Sequence, residues 1–364
     1  MFHIGTPKTG TTYLQRVLAD QRDSLRRQGW VYPQLTQHAN QSRLGFAFIE
    51  EKEPSRQTHA YDLVNRERAI SEIDAQLTAE VSAGQRWLMS SEQVSTMNDG
   101  QIAAFLEFLR RHFDEIQVIV YFRRRELLIP SFYSLMIKSG LTAELDRHLF
   151  RTDLAGRDPV EVYESWCAAI GSENVIARPY LESYKSDSDH LLKDFCDCIG
   201  VSLETPESIQ SSPRRRNERL SGEGVTFLRA LNSNLPGTTL ETKSQRNARA
   251  RLITRVRELT EGPEFRLPPS FVSNLGSEVW DELNENNQRL VDVVGGGELW
   301  EQWLAQEPIE EGAQEINIEP KRVIEPLREL SYPKSVLDIG SEDWLPEKPT
   351  PPGRLRRIKR RLLN

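Results

Sequence analysis

A loop near the N-terminus combines residue types that bind anions. Gly5 and Gly10 enclose the segment Thr-Pro-Lys-Thr, and two further threonines follow. Glycine lets a backbone approach a ligand closely, while threonine hydroxyls and the Lys8 ammonium supply donors and positive charge. Apolar residues 2–4 precede the loop, and apolar residues at helical spacing follow it. Because a helix N-terminus presents unpaired N–H groups, this strand–loop–helix order predicts an anion site.

The position of the lysine distinguishes this loop from that of ATP- and GTP-binding proteins. Their loop, G-x-x-x-x-G-K-[ST], has Lys directly after the second Gly. Here Thr11 stands at that place, and Lys8 lies inside the loop. The segment instead resembles the 5′-phosphosulfate loop of sulfotransferases that use 3′-phosphoadenosine 5′-phosphosulfate (PAPS). The resemblance implies that Lys8 is catalytic and that the donor is bound by Pro7, Lys8, Thr9, Gly10, Thr11 and Thr12.

A second group of anion-binding residues follows the most apolar stretch of the chain. Residues 116–122 are apolar almost throughout, as in a central strand of a parallel sheet, and Arg123 comes next. Ser131 lies about two turns into an expected helix, so an Arg fork and a hydroxyl are available to one phosphate. The pair resembles the sulfotransferase element that binds the 3′-phosphate of PAPS. Because Arg124 and Arg125 follow, the spacing leaves open which guanidinium faces that phosphate.

Two residues are candidates for the base that deprotonates an acceptor. Sulfuryl transfer requires the acceptor hydroxyl to lose its proton as it attacks sulfur, and a carboxylate or imidazole can take it. In the family this role falls to a His or Glu near the end of a strand after the phosphosulfate loop. Glu92 ends the expected strand 86–92, and His38 lies in a polar stretch, residues 34–60, that we expect to flank the acceptor pocket. A Glu opening a helix and a polar surface His are the ordinary structural alternatives.

A basic loop later in the chain is a further candidate for the nucleotide site. Some sulfotransferases close the nucleotide pocket with such a loop, and by that resemblance Arg216 and Asn217 would contact the donor. A solvated basic loop before a helix explains the same residues equally well. We expect no metal, since the sequence shows no cluster with metal-ligand spacing and PAPS chemistry needs none in principle.

Strands that alternate with helices predict an α/β fold with a parallel β-sheet flanked by helices and a helical C-terminal part. By the resemblance this is the P-loop-like sulfotransferase fold. Ligands of such sheets bind beyond the carboxyl ends of the strands, where the Lys8 loop, Glu92 and Arg123 would meet. The expected strands are residues 2–4, 30–33, 86–92, 116–122 and 173–180. The expected helices are residues 11–27, 61–83, 102–113, 126–139, 159–170, 190–199, 219–232, 242–261 and 269–294.

Composition divides the chain into three parts. We expect a catalytic domain over residues 1–305 and an acidic, proline-containing extension or linker over residues 306–352. Residues 353–364 form a basic amphipathic tail, with leucines and an isoleucine close to one helical face. Such a tail can lie on an anionic membrane surface, and a solvated tail is the alternative.

The bulk composition limits the classes of function. A content of 38% hydrophobic and 28% charged residues is typical of a soluble globular protein, and the net charge of −7 argues against bulk nucleic-acid binding. The first strand begins at residue 2, which leaves no room for a signal peptide, and the three cysteines favour reduced thiols. We therefore expect a cytoplasmic protein, with peripheral contact at the inner membrane surface through the tail left open.

These residues predict a sulfotransferase that moves a sulfuryl group from PAPS to a hydroxyl or amine and releases adenosine 3′,5′-bisphosphate. The expected acceptor is a carbohydrate or glycolipid, with a lipid-linked glycan or a small metabolite as further options. One alternative is a P-loop nucleotide kinase-like enzyme, which the position of Lys8 disfavours. The other is a non-catalytic nucleotide-binding scaffold, which would keep the loop and lack turnover.

Overall fold

The computed structural model describes residues 1–35, 39–49, 63, 65–82, 84–143, 157–210, 220–234, 243–259 and 277–306. Three residues that the sequence singles out, His38, Arg216 and Asn217, lie outside this part of the chain. The basic tail and all but the first residue of the expected extension also lie outside it.

A parallel sheet forms the centre of the described chain. Four strands have the order β4-β1-β5-β6, and each neighbouring pair is parallel, so their carboxyl ends share one edge of the sheet. The strands β2 and β3 form a separate parallel pair. In chain order the strands are β1 (Phe2–Ile4), β2 (Trp30–Val31), β3 (Arg86–Trp87), β4 (Met89–Ser91), β5 (Val118–Phe122) and β6 (Val175–Pro179).

Helices make most of the connections between the strands. Short 3₁₀ turns at Gln93–Thr96 and Ser172–Asn174 complete two of these connections. The helices are α1 (Thr11–Asp20), α2 (Arg22–Arg27), α3 (Ser42–Ala47), α4 (Arg66–Glu80), α5 (Asp99–Leu109), α6 (Arg125–Lys138), α7 (Pro159–Ile170), α8 (Ser183–Ser186), α9 (Ser188–Ile199), α10 (Glu207–Gln210), α11 (Gly222–Asn234), α12 (Lys243–Leu259), α13 (Ser277–Val294) and α14 (Glu298–Leu304).

The hydrophobic core is built around the sheet. Every residue of β1, β4 and β5 is buried, because the faces of a parallel sheet are covered by its crossover helices. The amphipathic α1 buries Leu14, Val17 and Leu18, and the rings of Phe2 and Phe105 pack edge to face at 5.2 Å. The predicted fold class, a parallel sheet flanked by helices, is confirmed.

Several element boundaries differ from the prediction for local reasons. The expected helix 11–27 is divided at Gln21 into α1 and α2. The helix expected at 102–113 begins earlier because Asn98 and Gln101 form a capping box. The polar stretch 34–60 contains the short helix α3, which the spacing of the apolar residues in that stretch does not predict.

The chain divides into two compact units. The first comprises Met1–Ser131, Asp146–Asn217 and Pro269–Glu310 and contains the four-stranded sheet. The second comprises Phe132–Leu145, Glu218–Pro268 and Glu311–Asn364.

Buried polar side chains hold the second unit together. Asn232 Nδ2 donates to the carbonyls of Ile137 and Leu141, at 2.9 and 2.8 Å. Arg249 Nε donates to the Lys138 carbonyl at 2.8 Å, so the carbonyl groups at the end of α6 are satisfied by side chains. Among the helices that the structure describes, in either unit, none combines the length and apolar character of a membrane-spanning segment.

Candidate active site

The loop between β1 and α1 is a cradle whose shape requires small residues. Gly10 precedes α1 with φ of 76°, and a Cβ there would lie 2.3 Å from Leu191 Cδ2. A Cβ on Gly5 would lie 2.3 Å from Thr11 Oγ1. Lys8 has φ of 65°, and no other described residue except glycine has a positive φ. Left-handed backbone at a non-glycine residue is uncommon and often marks a functional site.

Threonine hydroxyls hold the loop in this shape. Thr9 Oγ1 donates to the Thr6 carbonyl at 2.7 Å and lies 3.4 Å from Thr11 Oγ1. Thr6 Oγ1 donates to the Tyr121 carbonyl at 2.5 Å, which ties the loop to the end of β5. Thr9 and Thr11 are buried, whereas Thr12 is exposed in the first turn of α1. Of the loop residues singled out from the sequence, Thr9 therefore supports the loop from inside.

The loop presents its charge to solvent. Pro7 is half-buried and Lys8 is exposed. The first turn of an α-helix leaves backbone N–H groups without helical acceptors, and the helix dipole adds partial positive charge. The start of α1 and the Lys8 ammonium thus supply donors and positive charge at one end of the sheet.

Glu92 follows β4 at the same edge of the sheet. Burial raises the pKa of its carboxyl, and the charge of Lys8 opposes this by lowering it. The Glu92 carbonyl accepts hydrogen bonds from Ser95 Oγ at 2.8 Å and from Ser95 N at 3.2 Å, which fix the backbone after the strand. The pKa of the Glu92 carboxyl is therefore above its ordinary value, because the effect of burial exceeds that of the Lys8 charge.

A buried polar network surrounds Ser90, two residues before Glu92. His3 Nδ1 lies 2.9 Å from Ser90 Oγ, and Gln15 Nε2 donates to the same oxygen at 3.1 Å. Gln41 pairs with the Ser90 backbone, accepting from Ser90 N at 2.7 Å and donating its own N–H to the Ser90 carbonyl at 3.0 Å. Burial lowers the pKa of His3 to about 3, so its imidazole is neutral. The network fixes the end of β4 and hence the position of Glu92.

Arg123 extends from the end of β5 to the loop. Its Nη1 donates to the Lys8 carbonyl at 3.3 Å, and its Nε donates to Glu182 Oε1 at 2.6 Å. Its Nη2 forms an ion pair with the same carboxylate oxygen. The guanidinium lies 5.4 Å from the centre of the Tyr180 ring, and only 3% of the residue is exposed.

The two arginines after Arg123 point to other partners. Arg124 forms a buried ion pair with Glu126 and donates to the Leu304 carbonyl at 2.6 Å. Arg125 Nη1 lies 3.7 Å from Asp158 Oδ2, at the start of α7. No hydrogen bond links either side chain to the loop in the described part of the chain.

The remaining predicted site residues are less closely joined. Ser131 lies in α6 and is buried, and no described hydrogen bond joins it to Arg123. His38 lies outside the described residues, so the choice between His38 and Glu92 as base stays open. Arg216 and Asn217 also lie outside them.

Two residues beside Arg123 were not expected from the sequence. Tyr180 and Glu182 follow β6, the fourth strand of the sheet. The rule that strands end at the ligand-binding edge, which selects Glu92 and Arg123, applies to them as well. Within the described residues, no group of three or more His, Cys, Asp or Glu side chains is arranged to hold a metal ion.

Comparison with known proteins yields two similar structures. No family model and no curated protein matches the chain. The crystal structure of a sulfotransferase from Alicyclobacillus acidocaldarius matches with a TM-score of 0.44 and 12% identity, over 83% of this chain and 97% of that one. The sulfotransferase domain of the olefin synthase of Synechococcus PCC 7002 matches with a TM-score of 0.33 and 15% identity, over 76% of this chain and 93% of that one. At such low identities, nothing of either protein's chemistry is carried over to this chain.

Proposed function

We propose that the protein is a sulfotransferase that moves a sulfuryl group from PAPS to a hydroxyl or amine acceptor. The observation that carries the proposal is the contact between two separate elements that the sequence predicts to bind anions. Arg123, at the end of β5, donates to the carbonyl of Lys8, inside the loop before α1. Lys8 and Arg123 follow β1 and β5, which are neighbours in the sheet, so both residues lie at one edge of it. This arrangement supports binding of a ligand with two phosphates.

The loop residues fit the phosphosulfate end of the donor. The exposed Thr12 hydroxyl and the N–H groups at the start of α1 would bind the 5′-phosphate, and the buried Thr9 and Thr11 keep the loop in place. Gly5 and Gly10 let the loop backbone pack closely against the side chains of Thr11 and Leu191. Arg123, with Ser131 as the second candidate ligand, would bind the 3′-phosphate.

Lys8 and Glu92 would carry the chemical step. As the sulfur–oxygen bond of the donor breaks, negative charge grows on the bridging oxygen, and the Lys8 ammonium would neutralise it. Glu92 would take the proton of the acceptor hydroxyl as its oxygen attacks sulfur. The raised pKa of the Glu92 carboxyl favours this role, because a more basic carboxylate accepts a proton more readily. No metal ion enters this scheme.

For the acceptor we propose a carbohydrate or glycolipid that meets the enzyme on the cytoplasmic side of a membrane. The support is compositional: the basic, amphipathic tail over residues 353–364 is suited to anionic lipid surfaces. Residues 34–60, which contain α3 and Gln41 next to β4, are the proposed acceptor segment.

Calorimetric titration with adenosine 3′,5′-bisphosphate, ADP and Mg-ATP tests the proposal. We expect the bisphosphate to bind most tightly and Arg123→Ala to lose that preference. Arg289→Ala, which removes an exposed arginine of α13, is the matched control and should bind as the wild type does. Preference for Mg-ATP would favour the kinase-like alternative. Binding of the bisphosphate without turnover of PAPS on any acceptor would favour the scaffold.

A further inference from the structure

The Arg123 guanidinium lies against acceptors of the protein itself. Its Nε donates to Glu182 and its Nη1 to the Lys8 carbonyl, while the buried Nη2 forms an ion pair with Glu182 but makes no hydrogen bond to a described residue. The residue is 3% exposed, so its charge is removed from water and needs an anion beside it. Glu182 is that anion. A phosphate that binds the same guanidinium would compete with this carboxylate for the same N–H groups.

The Glu182 carboxylate can move away from Arg123 while the Glu182 backbone stays in place. Its backbone N–H donates to Gln306 Oε1 at 2.5 Å, which anchors the main chain just before α8. Its side chain is 28% exposed, so the carboxylate borders solvent on one side. Rotation about side-chain bonds is therefore sufficient to move the carboxylate into water, where its desolvation cost is recovered.

Tyr180 keeps the guanidinium in place during such an exchange. Its ring lies 5.4 Å from the Arg123 guanidinium carbon, within cation–π range. The bond from Arg123 Nη1 to the Lys8 carbonyl holds the other end of the planar group. The guanidinium thus remains oriented when one anion replaces the other, because neither of these contacts involves Glu182.

We propose that Glu182 is a specificity-determining residue that occupies the anion site of Arg123 until a nucleotide phosphate displaces it. The inference rests on the proposed function for the identity of the ligand. Glu182 would lower the affinity for every nucleotide that uses Arg123. It would not change the affinity for nucleotides without a second phosphate, because they bind without displacing the carboxylate from the guanidinium. If the ion pair between Arg123 and Glu182 only stabilised the fold, removing Glu182 would not change the affinity for the nucleotide.

The test is titration of the full chain and of Glu182→Gln with adenosine 3′,5′-bisphosphate and with adenosine 5′-monophosphate. We expect Glu182→Gln to bind the bisphosphate tighter by on the order of tenfold, and the monophosphate as the wild type does. Glu164→Gln, an exposed carboxylate paired with Arg289, controls for the loss of one negative charge and should change neither affinity. In Arg123→Ala/Glu182→Gln the gain for the bisphosphate should disappear.

The outcomes separate this inference from the proposed function. Absence of bisphosphate binding to the wild type would remove the proposed function itself. Tight binding to the wild type with an unchanged or weaker affinity in Glu182→Gln would overturn only the role of Glu182. An equal gain for both nucleotides would also overturn it, because the exchange at Arg123 requires the 3′-phosphate. If Glu182→Gln does not fold, Glu182→Asp provides the test. Its side chain is shorter and should pair less well with Arg123, so the variant should bind the bisphosphate more tightly than the wild type does. Equal affinity of the two proteins would contradict the proposal.

Discussion

The Lys8 ammonium acts on the Glu92 carboxyl across the carboxyl edge of the sheet. Its charge lowers the pKa of Glu92, while burial of the carboxyl raises that pKa by more. Two residues that are far apart in the chain, one after β1 and one after β4, are therefore coupled. Because β1 and β4 are direct neighbours in a parallel sheet, the residues after them emerge side by side.

The first prediction concerns Glu92 as the base. Glu92→Gln should greatly reduce turnover of PAPS while leaving the affinity for adenosine 3′,5′-bisphosphate unchanged, because an amide cannot take the acceptor proton. In the wild type, the acid limb of the pH–rate profile should lie above pH 4.5, the ordinary pKa of a glutamic acid, since burial raises the Glu92 pKa. Single-turnover rates and calorimetry on the two proteins measure both effects.

Stability provides an independent check on Glu92. A carboxyl whose pKa is raised in the folded state binds its proton more tightly there than in the unfolded chain, so its contribution to stability is lost as pH rises through that pKa. Glu92→Gln should therefore be more stable than the wild type at neutral pH, with the gain vanishing below about pH 4.5. Thermal unfolding at several pH values measures this. If Glu92→Gln keeps full turnover, Glu92 is not the base, and His38 is the remaining candidate.

The second prediction concerns Lys8. Lys8→Ala should reduce turnover on the order of 10²-fold, because a preorganised cation at the developing charge is lost. Its thermal stability should stay close to that of the wild type, since the Lys8 side chain is exposed. Lys193→Ala, which removes a lysine on the exposed side of α9, is the control for a lost surface charge. Near-normal turnover in Lys8→Ala would show that the assignment is wrong.

Much of the fold follows from the sequence because the signals are local. The expected helix at 159–170 is observed with the same bounds, since Asp158 caps it, Pro159 is its first residue and Gly171 follows its last turn. The apolar run at 116–122 contains β5, a central strand that is buried throughout. In both cases the residues that define the element are adjacent in the chain, so their pattern is visible without tertiary structure.

The helix α3 was missed because its reason is tertiary. It is short and contains Gly45, a poor helix former. A Cβ at this glycine would lie 2.4 Å from Ser91 Oγ, so the helix requires glycine to approach β4. Gln41, which precedes it, pairs with the backbone of Ser90. These contacts join residues about 50 positions apart in the chain, so no local sequence pattern predicts them.

The site shows the same division between local and distant signals. The Lys8 loop and Arg123 can be selected as candidate anion-binding residues from the residues next to them in the sequence. The pairing of Arg123 with Glu182 depends on the adjacency of β5 and β6, which is set by the order of strands in the sheet. The three consecutive arginines look equivalent in the sequence, and only the structure separates their partners.

The third prediction concerns His3, which is buried and neutral beside Ser90. Burial lowers the pKa of its imidazole to about 3, so the folded state resists protonation that the unfolded chain accepts below its ordinary value of 6.5. The associated stability is present above pH 6.5 and is lost as pH falls towards 3, by on the order of 5 kcal/mol in total. His3→Asn, which keeps a hydrogen-bonding group near Ser90, should flatten this part of the stability profile.

The measurement for His3 is the free energy of unfolding in denaturant between pH 7 and pH 4, taken as the difference between wild type and His3→Asn. Taking the difference removes the contributions of carboxyl groups that titrate in the same range. His190→Asn, at an exposed histidine in α9, is the matched control. Parallel profiles for wild type and His3→Asn would contradict the assignment of a neutral, buried imidazole.

The fourth prediction concerns Arg124, whose partners are all structural. It pairs with the fully buried Glu126, and its Nη1 donates to the carbonyls of Leu304 and Gln306 at 2.6 and 2.5 Å. Asn287 Nδ2 donates to the two oxygens of Glu126, at 3.1 and 3.3 Å. The network ties the start of α6 to α13 and to the end of α14, which makes stability the expected role of this arginine.

Arg124→Ala should lower the free energy of unfolding by about 3 to 5 kcal/mol, because it leaves the buried carboxylate of Glu126 without a counter-charge. Arg124→Met/Glu126→Leu should recover part of that loss, since it removes both charges and fills the space with apolar atoms. Arg125→Ala, whose ion pair with Asp158 is longer at 3.7 Å, should cost far less. Denaturant unfolding and bisphosphate titration of the three variants separate stability from binding. If the folded double variant loses bisphosphate affinity while Arg123→Ala retains it, then Arg124 and not Arg123 is the 3′-phosphate ligand.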